Sequence, residues 1–504
     1  MFEASRPFLL FDYFRVPYRA VEAGEWRSAL PPEHALGRCA ELRWSDGGTT
    51  RSLYWPRAEE IVRERLGRRA PRRIGSARLF AASVDPEVAA GWLRGSGRRW
   101  HDVVEIRECD GGEAAAVSAD DDGNLFVPFD PDEAIQQFWT EGYRTVDAAS
   151  LASALRRLGA ASYYRVRPAL PRTLQLSLRR AAARFQARAA FPTWPVETSL
   201  HDLYDLLFRL VYSLARRPIP WIAPWPAKYD WALVLTHDVE TRVGYENIAL
   251  LRDLELEHGY RSSWNLVPRR YEVDDDVVAA LLDGGFEVGV HGLYHDGRDV
   301  ERSLLADRLP AMRAAAERWQ ASGFRSPATR RDARVMPMLG FEHDSSFPET
   351  DPFEPDGGGC CSWLPYFLQD LVELPITLPQ DHTLFEILRA DGDVWREKTE
   401  HLRKRGAMAL LITHPDYMLD RDRLEIYASF LRAHEDDATA WRALPRDVSA
   451  WWRRRAVSTL EWEDGAWRVK GPASAEAQIR YLSDEETSVA RGSDGIAGDP
   501  AVAQ

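Results

Sequence analysis

Residues 231–240 read Trp231-Ala232-Leu233-Val234-Leu235-Thr236-His237-Asp238-Val239-Glu240. The unbroken apolar run at 231–235 suits a strand buried on both faces, and it feeds Thr236-His237-Asp238-Val239-Glu240. Two carboxylates close it. Strand side chains alternate between faces, so Asp238 and Glu240 should point the same way at the C-terminal end. Further apolar runs at 263–266, 286–290, 371–378 and 407–413 predict strands. Helical periodicity lies between them at 246–258, 277–282, 303–320 (interrupted by Pro310) and 394–404. Strand-helix alternation over this span predicts an α/β fold with a parallel sheet, barrel-like in arrangement.

Two other strand ends carry imidazoles. The run at 286–290 delivers His291-Gly292-Leu293-Tyr294-His295, and the run ending at Ile412 delivers Thr413-His414-Pro415-Asp416. A four-residue spacing would set His291 and His295 on one side of a helical turn, a metal-binding arrangement. In parallel α/β folds the C-terminal strand ends carry the site. Two carboxylates, a pair of imidazoles and a third imidazole suit a divalent metal with an open position, plus a separate acid and base. One carboxylate would ligate and the other accept a proton from water. His414 would donate to a leaving group, oriented by Asp416 or another carboxylate. Nine of the twelve histidines follow residue 231, which places the chemistry in this half.

These motifs resemble the polysaccharide deacetylase family, the NodB homology domain of carbohydrate esterase family four. The resemblance covers roughly residues 230–440 and rests on Thr-x-Asp, His-x3-His, Arg325-Ser326-Pro327 and the late Ile-x-His-Pro. It implies a distorted (β/α) barrel and a metal-dependent hydrolase of N-acetylated sugars. Asp238 matches the family's base, His291 and His295 its metal ligands, and His414 its acid. Arg325 matches the arginine that contacts the base. Phe341-Glu342-His343-Asp344-Ser345-Ser346-Phe347 resembles a weaker fourth motif and brings Asp344 near that arginine as a substrate contact. Val239 stands where the usual motif has a second Asp, and Glu240 can replace that ligand one step on. Ala328-Thr329 follow the Arg-x-Pro motif in place of an aromatic residue and Gly. A backbone N–H near Ala328 is the expected partner of the metal in holding the oxyanion. The expected ion is a divalent metal, zinc first.

The expected domains are a β-rich α+β unit at 1–150, a helical, Pro- and Trp-rich connector at 151–228 and the barrel at 229–445. A C-terminal hairpin extension at 446–484 and a disordered tail at 485–504 would follow. Hairpins are predicted around Asp46-Gly47-Gly48, within 103–129, and at Asp464-Gly465. An Arg-rich helical pattern spans 152–190. A net charge of −13 argues against nucleic acid as main partner. Four cysteines in 504 residues are no disulfide framework. No apolar run of about 18 residues is present, so no membrane span is expected. The start lacks a secretory pattern, so a cytoplasmic protein is expected. The predicted function is removal of N-acetyl or other acyl groups from an amino sugar or glycan. The alternatives are a metal-independent or non-sugar amide hydrolase on the same barrel, and a non-catalytic glycan-binding scaffold.

Overall fold

The computed structural model describes residues 1–21, 25–28, 30, 34–109, 111–147, 177, 179–183, 186, 191–354 and 356–483. The Arg-rich pattern over 152–190 lies largely outside them, and the tail 485–504 entirely so. The chain divides into two compact units, one drawn from 1–155, 198–223 and 454–495, the other from 156–197 and 224–453. Among the described residues no helix is long and apolar enough to cross a membrane.

The first unit is built on a nine-stranded sheet. Its hairpin Ala40–Asp46/Thr49–Trp55 turns at Gly47-Gly48, whose φ values of 53° and 146° favour glycine. Strands Trp100–Glu108 and Glu113–Asp120 form a second hairpin, and Thr459–Glu463 pairs with Ala466–Lys470 across Asp464-Gly465. Asp120 is buried. It accepts from the backbone N–H groups of Asp122 and Asn124, so the acidic turn is an internally bonded one. Three distant segments make up this unit, and Arg455 joins them. Its buried guanidinium donates to the carbonyls of Tyr13, Ile222 and Ala223 at 2.7–2.9 Å. The helix Ser199–Ala215, expected in a connector, and the C-terminal hairpin both belong here.

The second unit carries the predicted α/β sheet. Strand Trp231–Val239 is buried along its whole length and pairs in parallel with Ser263–Leu266 on one side and Met408–Thr413 on the other. Beyond Ser263–Leu266 follow Glu287–Val290, Gly323–Phe324, His343–Asp344 and Leu371–Glu373, all parallel; Tyr366–Leu368 closes the row antiparallel. The predicted strand 371–378 shortens to Leu371–Glu373. Past it, the Leu378 N–H donates to the Leu410 carbonyl, and the Thr377 hydroxyl donates to the Met408 carbonyl and accepts from the Leu410 N–H, which ties this segment to the strand at the opposite end of the row. This is a mixed α/β arrangement that fits a distorted barrel.

Helices Ile248–Glu257, Asp275–Asp283, Arg302–Trp319 and Asp393–Lys404 occupy the predicted intervals. Pro310 sits inside a continuous helix and does not break it. Leu305, Met312, Ala315, Ala316 and Trp319 are buried on that helix, and this packing offsets the ~3 kcal/mol or more that an interior proline costs.

Candidate metal centre

The central strand Trp231–Val239 delivers Asp238 and Glu240 to one side, while Val239 is fully buried on the other. Asp238, Asn265 and Gly289 form one row across three adjacent strands. Asn265 donates to Asp238 Oδ1 at 2.9 Å. Gly289 leaves room for that amide, since a Cβ there would lie 2.2 Å from Asn265 Oδ1. Arg325, almost fully buried, approaches both Asp238 oxygens at 3.4 and 3.5 Å. Its other amine bonds Thr236 Oγ1 and Ser345 Oγ at 3.2 and 2.8 Å. Burial alone would raise the Asp238 carboxyl. The charges of Arg325, His291 and His414 and the Asn265 bond outweigh it and hold the group at about 2.

His291 and His295 do converge, by a route the spacing did not suggest. Residues 291–297 form a bent loop, not a helical turn. Gly292 at φ 64° and His295 at φ 58° turn the chain back on itself. A side chain at 292 would collide with Asp299 and Pro327. The two imidazole centroids lie 4.9 Å apart. Glu240, His291 and His295 each offer a ligand atom, and these atoms all lie within 4.8 Å of one another.

The donor set fits a divalent cation. His291 Nδ1 lies 3.0 Å from the Arg325 carbonyl, which can only accept, so the proton sits on Nδ1 and Nε2 keeps its lone pair. Burial pushes His291 down to about 4, against the pull of Asp238 and Glu240, so it is neutral as a ligand must be. Among the described residues the buried His295 Nε2 has no hydrogen-bond partner in good geometry, although Glu240 Oε1 is 3.2 Å away. Glu240 is held ionised. Burial raises its carboxyl, but His295, His414 and Tyr417 together take it well below the usual carboxylate range. An unpartnered buried imidazole nitrogen facing a carboxylate oxygen is what a cation between them would satisfy.

His414 faces the same cluster, its Nε2 3.8 Å from Glu240 Oε1. Asp416 does not orient it. That role falls to Asp381, whose Oδ1 is 2.6 Å from His414 Nδ1 and whose Oδ2 accepts from the His414 backbone N–H at 2.8 Å. Burial works to lower the His414 pKa. The charge and hydrogen bond of Asp381, with Glu240 and Asp238 behind them, raise it to about 10 and keep the ring cationic. Asp381 stands three residues past the predicted run 371–378. A carboxylate just beyond a strand end was the signal, and no motif spacing marked it.

Two expected contacts stand apart. Asp344 is only 1% exposed, accepts from Ser346 Oγ at 2.7 Å and shares its buried setting with Glu373. Burial raises both carboxyls; Asp344 raises Glu373 further, while the hydrogen bond from Glu373 acts to lower Asp344, so this position suits a buried acid pair and not a sugar contact. Ala328 is exposed, and it and Thr329 both take left-handed φ values, 52° and 47°. Strain of that kind costs about 1–3 kcal/mol per residue and gathers at functional loops.

No protein-family model and no curated protein matches the chain. Among solved structures, a Mycobacterium smegmatis protein assigned as a polysaccharide deacetylase shares 16% identity at a TM-score of 0.38, over 47% of this chain and 96% of that one. The allantoinase PuuE shares 18% identity at a TM-score of 0.38, over 46% and 93%. The family 4 carbohydrate esterase of Streptomyces lividans, solved with acetate, shares 13% identity at a TM-score of 0.28, over 41% and 90%. The chain is thus similar, over somewhat less than half its length, to solved polysaccharide deacetylases and family 4 carbohydrate esterases.

Proposed function

We propose that this protein is a metal-dependent hydrolase that removes N-acetyl or related acyl groups from an amino sugar or glycan. The observation that carries this reading is the convergence of Glu240, His291 and His295 within 4.8 Å, flanked by an ionised Asp238 and a cationic His414. The motif resemblance supplies the substrate class.

Glu240, His291 and His295 would hold the ion. A bound divalent cation, zinc first, supplies positive charge that polarises an acyl carbonyl and acidifies water. Asp238 lies beside this cluster, its Oδ2 3.9 Å from His291 Nε2, and takes the proton of the attacking water. Arg325 and Asn265 fix the direction of its carboxylate. His414 Nε2 then donates its proton to the departing nitrogen, and Asp381 holds the ring for that transfer. The motif resemblance assigns the developing oxyanion to a backbone N–H near Ala328. Val239 removes one carboxylate from the usual motif. Glu240, one residue on, reaches the histidines, which favours the metal-dependent reading over the metal-independent one.

The test has two arms. Purified protein should retain about one equivalent of divalent metal, and it should release acetate from N-acetylated amino sugars only when loaded. Acetate release that survives complete metal removal would favour the metal-independent alternative. Cleavage confined to non-sugar amides would remove the glycan from the reading. A metal-loaded protein that binds glycans without turnover would leave the scaffold alternative.

A further inference from the structure

The loop that follows strand Met408–Thr413 does more than present His414. Asp416 Oδ2 accepts from the Glu240 backbone N–H at 3.0 Å, and its Oδ1 accepts from the Thr241 backbone N–H at 3.0 Å. Oδ1 also accepts from the Thr241 hydroxyl. The next residue, Tyr417, donates its hydroxyl to Glu240 Oε2 at 2.6 Å. Its ring is wedged between His382 and His414, with centroid distances of 5.1 and 5.2 Å. The hydroxyl is therefore aimed by packing. Space for the clamp is built in, because a Cβ on Gly244 would lie 2.1 Å from Asp416 Oδ2.

We propose that Tyr417 is the positioning residue of the metal-binding carboxylate. By occupying Oε2 it leaves Glu240 to ligate through Oε1 alone, the oxygen that faces His295 at 3.2 Å. Asp416 fixes the backbone from which that carboxylate springs. The physical need follows from the ligand itself. Glu240 carries one more rotatable bond than an aspartate at the same task, and it stands at the end of a strand where the ladder no longer constrains it. A longer side chain reaches the histidines but loses rotamer freedom on binding, and a fixed hydrogen bond removes that cost in advance. The inference rests on the metal-site reading above.

The test is zinc affinity of the metal-free full chain, measured by competition with a chromogenic chelator. Tyr417→Phe deletes one oxygen and should weaken zinc binding about 10- to 100-fold, as loss of a group that orients a ligand typically does. The far-UV spectrum and melting temperature should not change. In a Glu240→Ala background the same substitution should have no further effect, an outcome that a merely structural tyrosine would not give. Gly244→Ala, which pushes Asp416 aside without touching Tyr417, should weaken binding in the same direction and serves if the phenylalanine variant is unstable. Affinity within twofold of the parent in Tyr417→Phe, or an equal loss that persists in the Glu240→Ala background, overturns the proposal. If Glu240→Ala itself leaves zinc affinity unchanged, the metal site fails and the clamp with it; a large Glu240 effect without a Tyr417 effect sinks the clamp alone.

Discussion

Replacing Asp381 by Asn should convert His414 from a standing proton donor into a ring that is mostly neutral at working pH. Asp381 and His414 are both buried, 2.6 Å apart, and among the described residues no other carboxylate bonds Nδ1. The raised His414 pKa means that the cationic acid is present below about 10 and is lost as pH rises through that value. Asn keeps the shape but removes the charge. If the ring fell only to the value of a free imidazole, ~6.5, it would be about one-quarter protonated at pH 7. Burial, the largest influence on this ring, drives it lower still. The alkaline limb of kcat/KM should therefore move from near pH 10 to below neutrality. At pH 8 acetamide hydrolysis should fall toward the 10²- to 10⁴-fold that general acid catalysis contributes. The assay is acetate release from an N-acetylated amino sugar between pH 5 and 10, with an activated aryl acetate in parallel. The aryl leaving group needs no proton, so its hydrolysis should fall much less. Bound metal should remain at the parental level. Equal loss on both substrates, or an alkaline limb that stays in place, would refute the assignment of His414 as acid.

Other substitutions probe separate parts of the molecule. Arg325→Lys should lower turnover and leave metal content unchanged, because a single nitrogen cannot stand both where Nη1 meets Asp238 and where Nη2 meets Thr236 and Ser345; metal analysis beside kinetics separates the outcomes. Gly292→Ala should cost metal binding, since it adds a Cβ 2.3 Å from Asp299 Oδ2 at φ 64°; the stoichiometry of bound zinc reads this directly. Arg455→Leu leaves the carbonyls of Tyr13, Ile222 and Ala223 without their donor and should destabilise the first unit by ~3 kcal/mol or more. Calorimetry should show that unit's transition shifting to lower temperature, with zinc binding by the second unit retained.

The sequence made the sheet legible where the physics was local. Apolar runs marked the central strand, and side-chain alternation placed Asp238 and Glu240 on one face with Val239 in the core. The histidine pair was legible as a pair, but its path was not. A four-residue spacing suggests a helical turn, and only the left-handed backbone of Gly292 and His295 reveals a bent loop. Asp381 stood just beyond a strand end, but its partner lies 33 residues away, and no motif spacing links the two. The segments that complete the first unit are likewise distant in the chain. That unit also draws on 198–223 and 454–495, and Arg455 reaches carbonyls 232 to 442 residues earlier, a long-range link that no composition shift records.

A single departure from the usual motif links several of these features. With Val239 turned into the core and Asp238 held by Arg325 and Asn265, the proposed third ligand is Glu240, where the central strand has ended. Tyr271 donates its hydroxyl to the Val239 carbonyl at 2.6 Å, Asp416 accepts from the Glu240 N–H, and Tyr417 takes one of its oxygens. Side chains thus replace the ladder at the point where it runs out. Such substitution is economical only if the carboxylate must be held still, and a surface glutamate has no such requirement. The same loop carries His414, so anything that shifts the clamp also shifts the acid. Disturbing Asp416 through Gly244 should therefore lower metal affinity and acetamide turnover together, whereas Asp381→Asn lowers turnover alone. Comparing the two variants separates a ligand that is badly held from an acid that is badly charged.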